Sequence, residues 1–129
     1  MKVGKKSLLR QTQEKLKQGT ATNPISVTVE STNQGAFESK IAIRNHMLVS
    51  DQPFGFNGEN KGPKPSELIL AALAACQETT FRLYAEDMGI AINAISVSLT
   101  GIQDLTGFMS LDQGVPAGFV SIYGEVTIQ

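Results

Sequence analysis

The sequence predicts an α+β protein with a mostly antiparallel sheet and one long central helix. Three observations carry this. Ser66–Met88 reads as one helix with clear stop signals at both ends. Short segments before and after it alternate apolar and polar residues with the period of a half-buried strand. Strands, then a long helix, then strands is an α+β order.

The chain has 129 residues, of which 41% are hydrophobic and 18% charged. That balance supports a packed core and argues against disorder. There is no Trp, so Ile, Leu, Val, Met, Ala and Phe must supply the core.

Ser7–Gly19 reads as a weakly amphipathic helix, with Leu8, Leu9 and Leu16 on its apolar side. Gly19, Thr20, Thr22, Asn23 and Pro24 end it. Ile25–Glu30 alternates Ile25, Val27 and Val29 with polar residues and predicts a strand. Ser31–Gly35 is rich in turn formers, and Ala36–Arg44 returns as the second strand of a hairpin. His46–Ser50 is a candidate third strand. Asp51–Pro65 is dense in Gly and Pro, which excludes helix and central strand.

In the long helix, Ser66 or Pro65 opens the first turn and Gly89 stands just past the end. Leu68–Cys76 is apolar on every side, and such a helix is buried on every side. A chain of this size is short of cover for it, which is a physical reason to expect a second subunit. Gln77–Met88 is amphipathic. Ile90–Ile102 predicts a strand, Gln103–Gly118 is irregular, and Phe119–Gln129 predicts the last strand.

Charge is unevenly spread. Residues 1–23 hold six basic residues against Glu14 alone, and the remainder holds five basic residues against eleven acidic ones. The sequence therefore divides into a basic arm or helix, 1–23, and a domain, 24–129. A basic arm suits an anionic partner. This arm has no aromatic side chain for base stacking, which argues against nucleic acid. Neither a signal peptide nor an apolar run of bilayer-spanning length is visible. The expectation is a soluble cytoplasmic protein with no membrane partner.

One cysteine excludes an internal disulfide framework, and no residue set suits a metal or a cofactor. The Gly-rich stretch 55–62 lacks the Gly-Lys-Ser/Thr of a phosphate loop. His46 is the only histidine and reads as a surface or satisfied residue. Cys76 is left as the candidate nucleophile, with a buried inert thiol as the alternative. As the eleventh residue of its helix it gains little from the helix dipole. A base or cation must come from elsewhere, for which the second subunit is the natural source.

GPKPSELILAALAAC, residues 62–76, resembles the osmotically inducible protein C (OsmC) and organic hydroperoxide resistance (Ohr) family. DQPFGFNGENKGP, residues 51–63, resembles the loop that leads into that family's helix, and DLTGFMSLDQGVPAGF, residues 104–119, resembles a loop of one branch. The three pieces stand in register and extend the likeness over residues 25–129. The resemblance implies an intertwined homodimer, two central helices packed together and sheets wrapped around them. It also implies that Cys76 is a peroxidatic cysteine reducing organic hydroperoxides in stress response.

The sequence departs from that pattern. The family's hairpin Arg has no match in Ser31–Gly35, and Ser66 stands where the Ohr branch has Glu. Glu67 is one residue later. It lies about 180° around the helix from Cys76 and about 13 Å along it, so it reaches a cysteine only across a dimer interface. Otherwise it is a first-turn acid favoured by the helix dipole. The resolving cysteine is absent from these residues, and the sequence stops at a strand where the family continues into helices, so either the sequence is part of a longer chain or the lineage has lost that element. Two readings follow: a peroxidase using Cys76, Glu67 and an external thiol, or a non-catalytic relative binding a small ligand at the dimer interface. Phe54, Phe56, Phe108, Met109 and Phe119 are candidate walls of an apolar pocket near Cys76. Arg82 is expected to pair with Glu78 or Glu86.

Overall fold

The computed structural model describes residues 4–129, ordered as α1 (Leu8–Gln18), β1 (Glu30–Asn33), β2 (Ser39–Ile43), β3 (His46–Ser50), α2 (Pro65–Met88), β4 (Ile95–Gln103), α3 (Leu105–Phe108) and β5 (Phe119–Ile128). The architecture is mixed α+β with one long helix and only antiparallel strand pairs among the described residues. The strands form two separate sheets, ordered β1-β2-β3 and β4-β5. The chain divides into two compact units.

One unit spans Glu14–Ala71. The expected hairpin is present but displaced. Its first strand begins at Glu30 and takes in Ser31–Asn33, with Glu30 opposite Ala42 and Asn33 opposite Ser39. The turn lies beyond Asn33, whose side chain accepts from the Gly35 amide. Ile25–Val29, expected as a strand, belongs to none; Ile25 is 75% and Val27 88% exposed. The physical reason is that β2 turns into β3 at Arg44, so nothing within this sheet remains for those residues to pair with. Their alternation marks the capacity to form a strand, and strand formation needs a partner edge.

The loop from Asp51 to Pro65 is irregular but tightly built. Asp51 is 1% exposed and accepts from the amides of Gln52, Glu59 and Lys61 at 2.7, 3.2 and 3.2 Å. Burial alone would raise its pKa, but those amide bonds and the Lys61 charge hold it below the ordinary 3.8. Gly58 passes so close to the Gln52 carbonyl that a Cβ would lie 1.8 Å from its oxygen. Lys61 bridges Glu59 at 2.8 Å and Glu38 at 3.3 Å, and these bonds raise its pKa. Phe54–Phe56 adds one 3-10 turn.

The other unit joins the residues up to Gln13 with Ala72–Gln129. β4 and β5 pair along their whole lengths, from Ile95 opposite Ile128 to a register shift at Ile102 and Gln103. The stretch expected to be irregular contains α3, capped by Asp104, which accepts from the Thr106 hydroxyl at 2.6 Å and its amide at 3.0 Å. These bonds, the hydroxyl first, lower the Asp104 pKa.

α2 follows the sequence signals closely. Pro65 sits in its first turn, where no amide is needed. Gly89 ends it in the left-handed region, with φ of 69°. The Gly89 and Ile90 amides donate back to Glu86 and Ala85. Arg82 departs from expectation: it donates to the backbone carbonyls of Ile92 and Asn93, at 2.9 and 3.4 Å, instead of pairing with Glu78 or Glu86. It thereby fastens the turn between α2 and β4.

Within one chain the apolar half of α2 is not enclosed. Ile69 is 58% exposed and Leu73 37%, and Ala85 is the one buried hydrophobic residue among those described. β5 is exposed at nine of its ten positions. So much uncovered aliphatic surface is unusual for a free-standing chain.

Candidate functional site

Cys76 lies in the middle of α2 with its thiol exposed. Within one chain the residue is not enclosed. Helical spacing sets its neighbours. Residues three, four, seven and eight positions along share its side of the helix. Cys76, Gln77, Thr80, Phe81, Tyr84 and Met88, with Val126 from β5, line a cavity of about 510 Å³. That is within the volume range of small-molecule sites.

Phe81, Met88 and Val126 make the cavity mainly apolar. Its polar groups are few. The Thr80 hydroxyl donates to the Cys76 carbonyl at 2.8 Å, which keeps that hydroxyl on the helix. Oε1 of Gln77 is buried with no hydrogen-bond partner, an arrangement that costs about 1–3 kcal/mol. None of the lining residues is cationic.

The phenylalanines proposed as walls do not line this cavity. Phe119 covers Gly101, where a Cβ would lie 2.3 Å from its ring. Phe54, Phe56, Phe108 and Met109 are exposed. Gln77, Thr80, Phe81, Tyr84 and Met88 were missed as lining residues, although for Thr80 and Tyr84, four and eight positions after Cys76, helical spacing was a usable signal. Val126 had no such signal, because its place depends on how β5 meets α2.

Glu67 performs a local role. One carboxylate oxygen accepts from the Lys64 amide at 3.0 Å, closing the first turn of α2. His46 is exposed on β3, opposite Ile43. No group of metal-binding side chains occurs among the described residues. No helix among them is long and apolar enough to cross a membrane.

A second cavity of about 460 Å³ lies in the same unit, lined by Leu8, Thr79, Arg82, Leu83, Ala85, Glu86, Ile90 and Ile92. Its α2 residues run from the flank of Cys76, at Thr79 and Leu83, round the helix to Arg82 and Ala85.

Comparison with known proteins agrees with this architecture. A crystal structure of a protein from Psychrobacter arcticus 273-4, designated an osmotic stress induced and detoxification response protein, is 20% identical. The match covers 84% of this chain and 74% of that one, with a TM-score of 0.66. A crystal structure from Legionella pneumophila, of an organic hydroperoxide resistance protein OsmC, is 17% identical over the same shares, with a TM-score of 0.59. At these identities the two show a shared fold. No curated protein matches. The OsmC-like protein family matches residues 58–129, which takes in all of α2 with Cys76 and both strands of the second sheet. The chain belongs to the OsmC-like protein family.

Proposed function

We propose that this protein is a thiol-dependent peroxidase that reduces organic hydroperoxides through Cys76, working as a homodimer. One observation carries the reading: an exposed thiol opens into a largely apolar cavity that suits the organic part of such a molecule. The thiolate sulfur attacks the outer oxygen of the hydroperoxide. An S–O bond forms, the O–O bond breaks, and the departing alkoxide takes a proton and leaves as an alcohol. Cys76 becomes a sulfenic acid, oxidised by two electrons. These 129 residues hold one cysteine, and the reading assigns resolution of the sulfenic acid to an external dithiol. Its first sulfur attacks the sulfenic sulfur and releases water, and its second displaces Cys76 as thiolate. A cytoplasmic setting supplies such thiols.

The dimer is supported by the surface of α2. Ile69, Leu73, Cys76, Thr80, Tyr84 and Met88 recur every three or four residues and are all exposed. A second copy covers this strip with the same strip of its own. In this reading the partner also supplies the positive charge that the cavity lacks, and Glu67 serves the cysteine of the second copy.

The test is consumption of cumene hydroperoxide with added dithiol. The native protein is expected to turn over, Glu67→Gln to slow, and Cys76→Ser to be inactive. Equal rates for the native protein and Cys76→Ser reject the reading. The lack of a cation in the cavity lining favours a second reading, a non-catalytic ligand-binding protein. That reading expects slow modification of Cys76 by thiol reagents at neutral pH, and rapid modification rules it out.

A further inference from the structure

Ile25–Val29 has the alternation of a strand, belongs to none, and leaves Ile25, Val27 and Val29 exposed. The segment runs directly into β1. An apolar, strand-forming stretch with no neighbour is a surface that pairs with another chain.

The sheet of β4 and β5 has the complementary defect. It has two strands, and two strands alone are marginal in water. Ala94 and Gln129 exchange both backbone hydrogen bonds, so Thr127, Glu125, Tyr123 and Ser121 also turn their amides toward β4 along the ladder. The amides of Ile128, Val126, Gly124 and Ile122 therefore point to the other edge of β5, where the sheet has no strand. Side-chain cover runs out in the same direction. Ile95 and Val97 of β4 are half-buried, whereas Ile128 and Val126 opposite them are 47% and 41% exposed. The whole chain exposes 10229 Å², where a compact chain of 13.8 kDa exposes about 6,600 Å². That excess, about 3,600 Å², is several times the roughly 800 Å² each partner gives to a standard interface, and it suits an obligate homodimer.

We propose that Ile25–Val29 of one copy adds to the open edge of β5 in a second copy. The two copies then complete each other's sheets, and twofold symmetry makes the exchange occur twice. Ile25, Val27 and Val29 extend the apolar face formed by Ile122, Val126 and Ile128, and the segment's carbonyls take up amides that β4 leaves over. This contact is additional to the strip on α2. It rests on the homodimer of the reading above, and not on chemistry at Cys76.

The test is amide hydrogen exchange of the native chain at a concentration where sedimentation shows a dimer. Alternate amides within Ile25–Val29, and those of Ile122, Val126 and Ile128, should exchange at least about tenfold more slowly than unprotected amides, the effect of one backbone hydrogen bond. A dimer in which Ile25–Val29 exchanges without protection overturns the proposal and leaves the homodimer standing. Protection of that segment without protection of Ile122, Val126 and Ile128 places it on another edge and also overturns the proposal. A monomer at every concentration overturns the proposal and the homodimer together. A variant with Val27→Pro and Thr28→Pro removes the donor facing the partner whichever way the segment is turned. Neither residue belongs to a ladder of the single chain, so the chain's own strand pairs persist. One bond lost at each of two symmetric places should raise the dimer Kd about a hundredfold. A Kd within about twofold of the native value, a shift far smaller than one hydrogen bond, overturns the proposal. If that variant does not fold, Val27→Asn should raise the Kd in the same direction, and an unchanged Kd overturns the proposal equally.

Discussion

Replacing Leu73 by Asp places a carboxylate on the exposed strip of α2, one turn before Cys76. Leu73 is 37% exposed in the single chain, so a second copy has only that last third to cover. Covering it contributes roughly 0.5–1 kcal/mol, taking about 1.5–3 kcal/mol for a whole leucine side chain. The larger effect is electrostatic. Bringing an unpaired carboxylate into a helix–helix seam costs several kcal/mol even after relaxation. A symmetric dimer carries the change twice, which brings the total to about 6 kcal/mol or more. At about 1.4 kcal/mol per tenfold, the dimer Kd rises by on the order of 10⁴. Sedimentation across about 0.1–100 μM, a range that brackets micromolar association, should show a native dimer and a monomeric variant. Far-ultraviolet circular dichroism should confirm that α2 persists. The reasoning fails if the native chain is monomeric throughout that range, or if the variant dimerises as tightly as the native chain. Either result also removes the source assigned to the missing cation.

Two further outcomes concern the loop before α2. Gly58→Ala drives a Cβ against the Gln52 carbonyl at 1.8 Å and should destabilise the protein by about 1–3 kcal/mol, measured by urea unfolding; an unchanged midpoint contradicts the close approach. Asp51 has a folded pKa below its ordinary 3.8, so its contribution is fully present above that value and is lost as pH falls through the lower folded value. Exchange protection of the Glu59 and Lys61 amides, relative to intrinsic rates, should hold at about pH 5 and fall only in stronger acid; loss near neutrality contradicts the assignment.

Local signals gave reliable elements where the decisive interaction was itself local. α2 was legible because Pro65, Glu67 and Gly89 act within one turn of their own positions. The α1 boundaries and the strand at His46–Ser50 were legible for the same reason. Ile25–Val29 was misread because alternation describes a residue pattern and strand formation needs an edge to pair with. Arg82 was misread because helical spacing offered Glu78 and Glu86, whereas the free carbonyls of Ile92 and Asn93 came within reach only after the chain turned at Gly89.

The site divides along the same line. Cys76 as the sole thiol, and its place on a long helix, were fixed by composition and periodicity. Family membership was legible from three stretches in register. Tertiary structure decided that the thiol is exposed, that Gln77, Tyr84, Met88 and Val126 shape its cavity, and that Phe108 and Met109 do not. The physical reason is distance along the chain. Caps, turns and helical faces depend on neighbours a few residues apart, whereas a cavity wall depends on residues such as Cys76 and Val126 meeting across fifty positions.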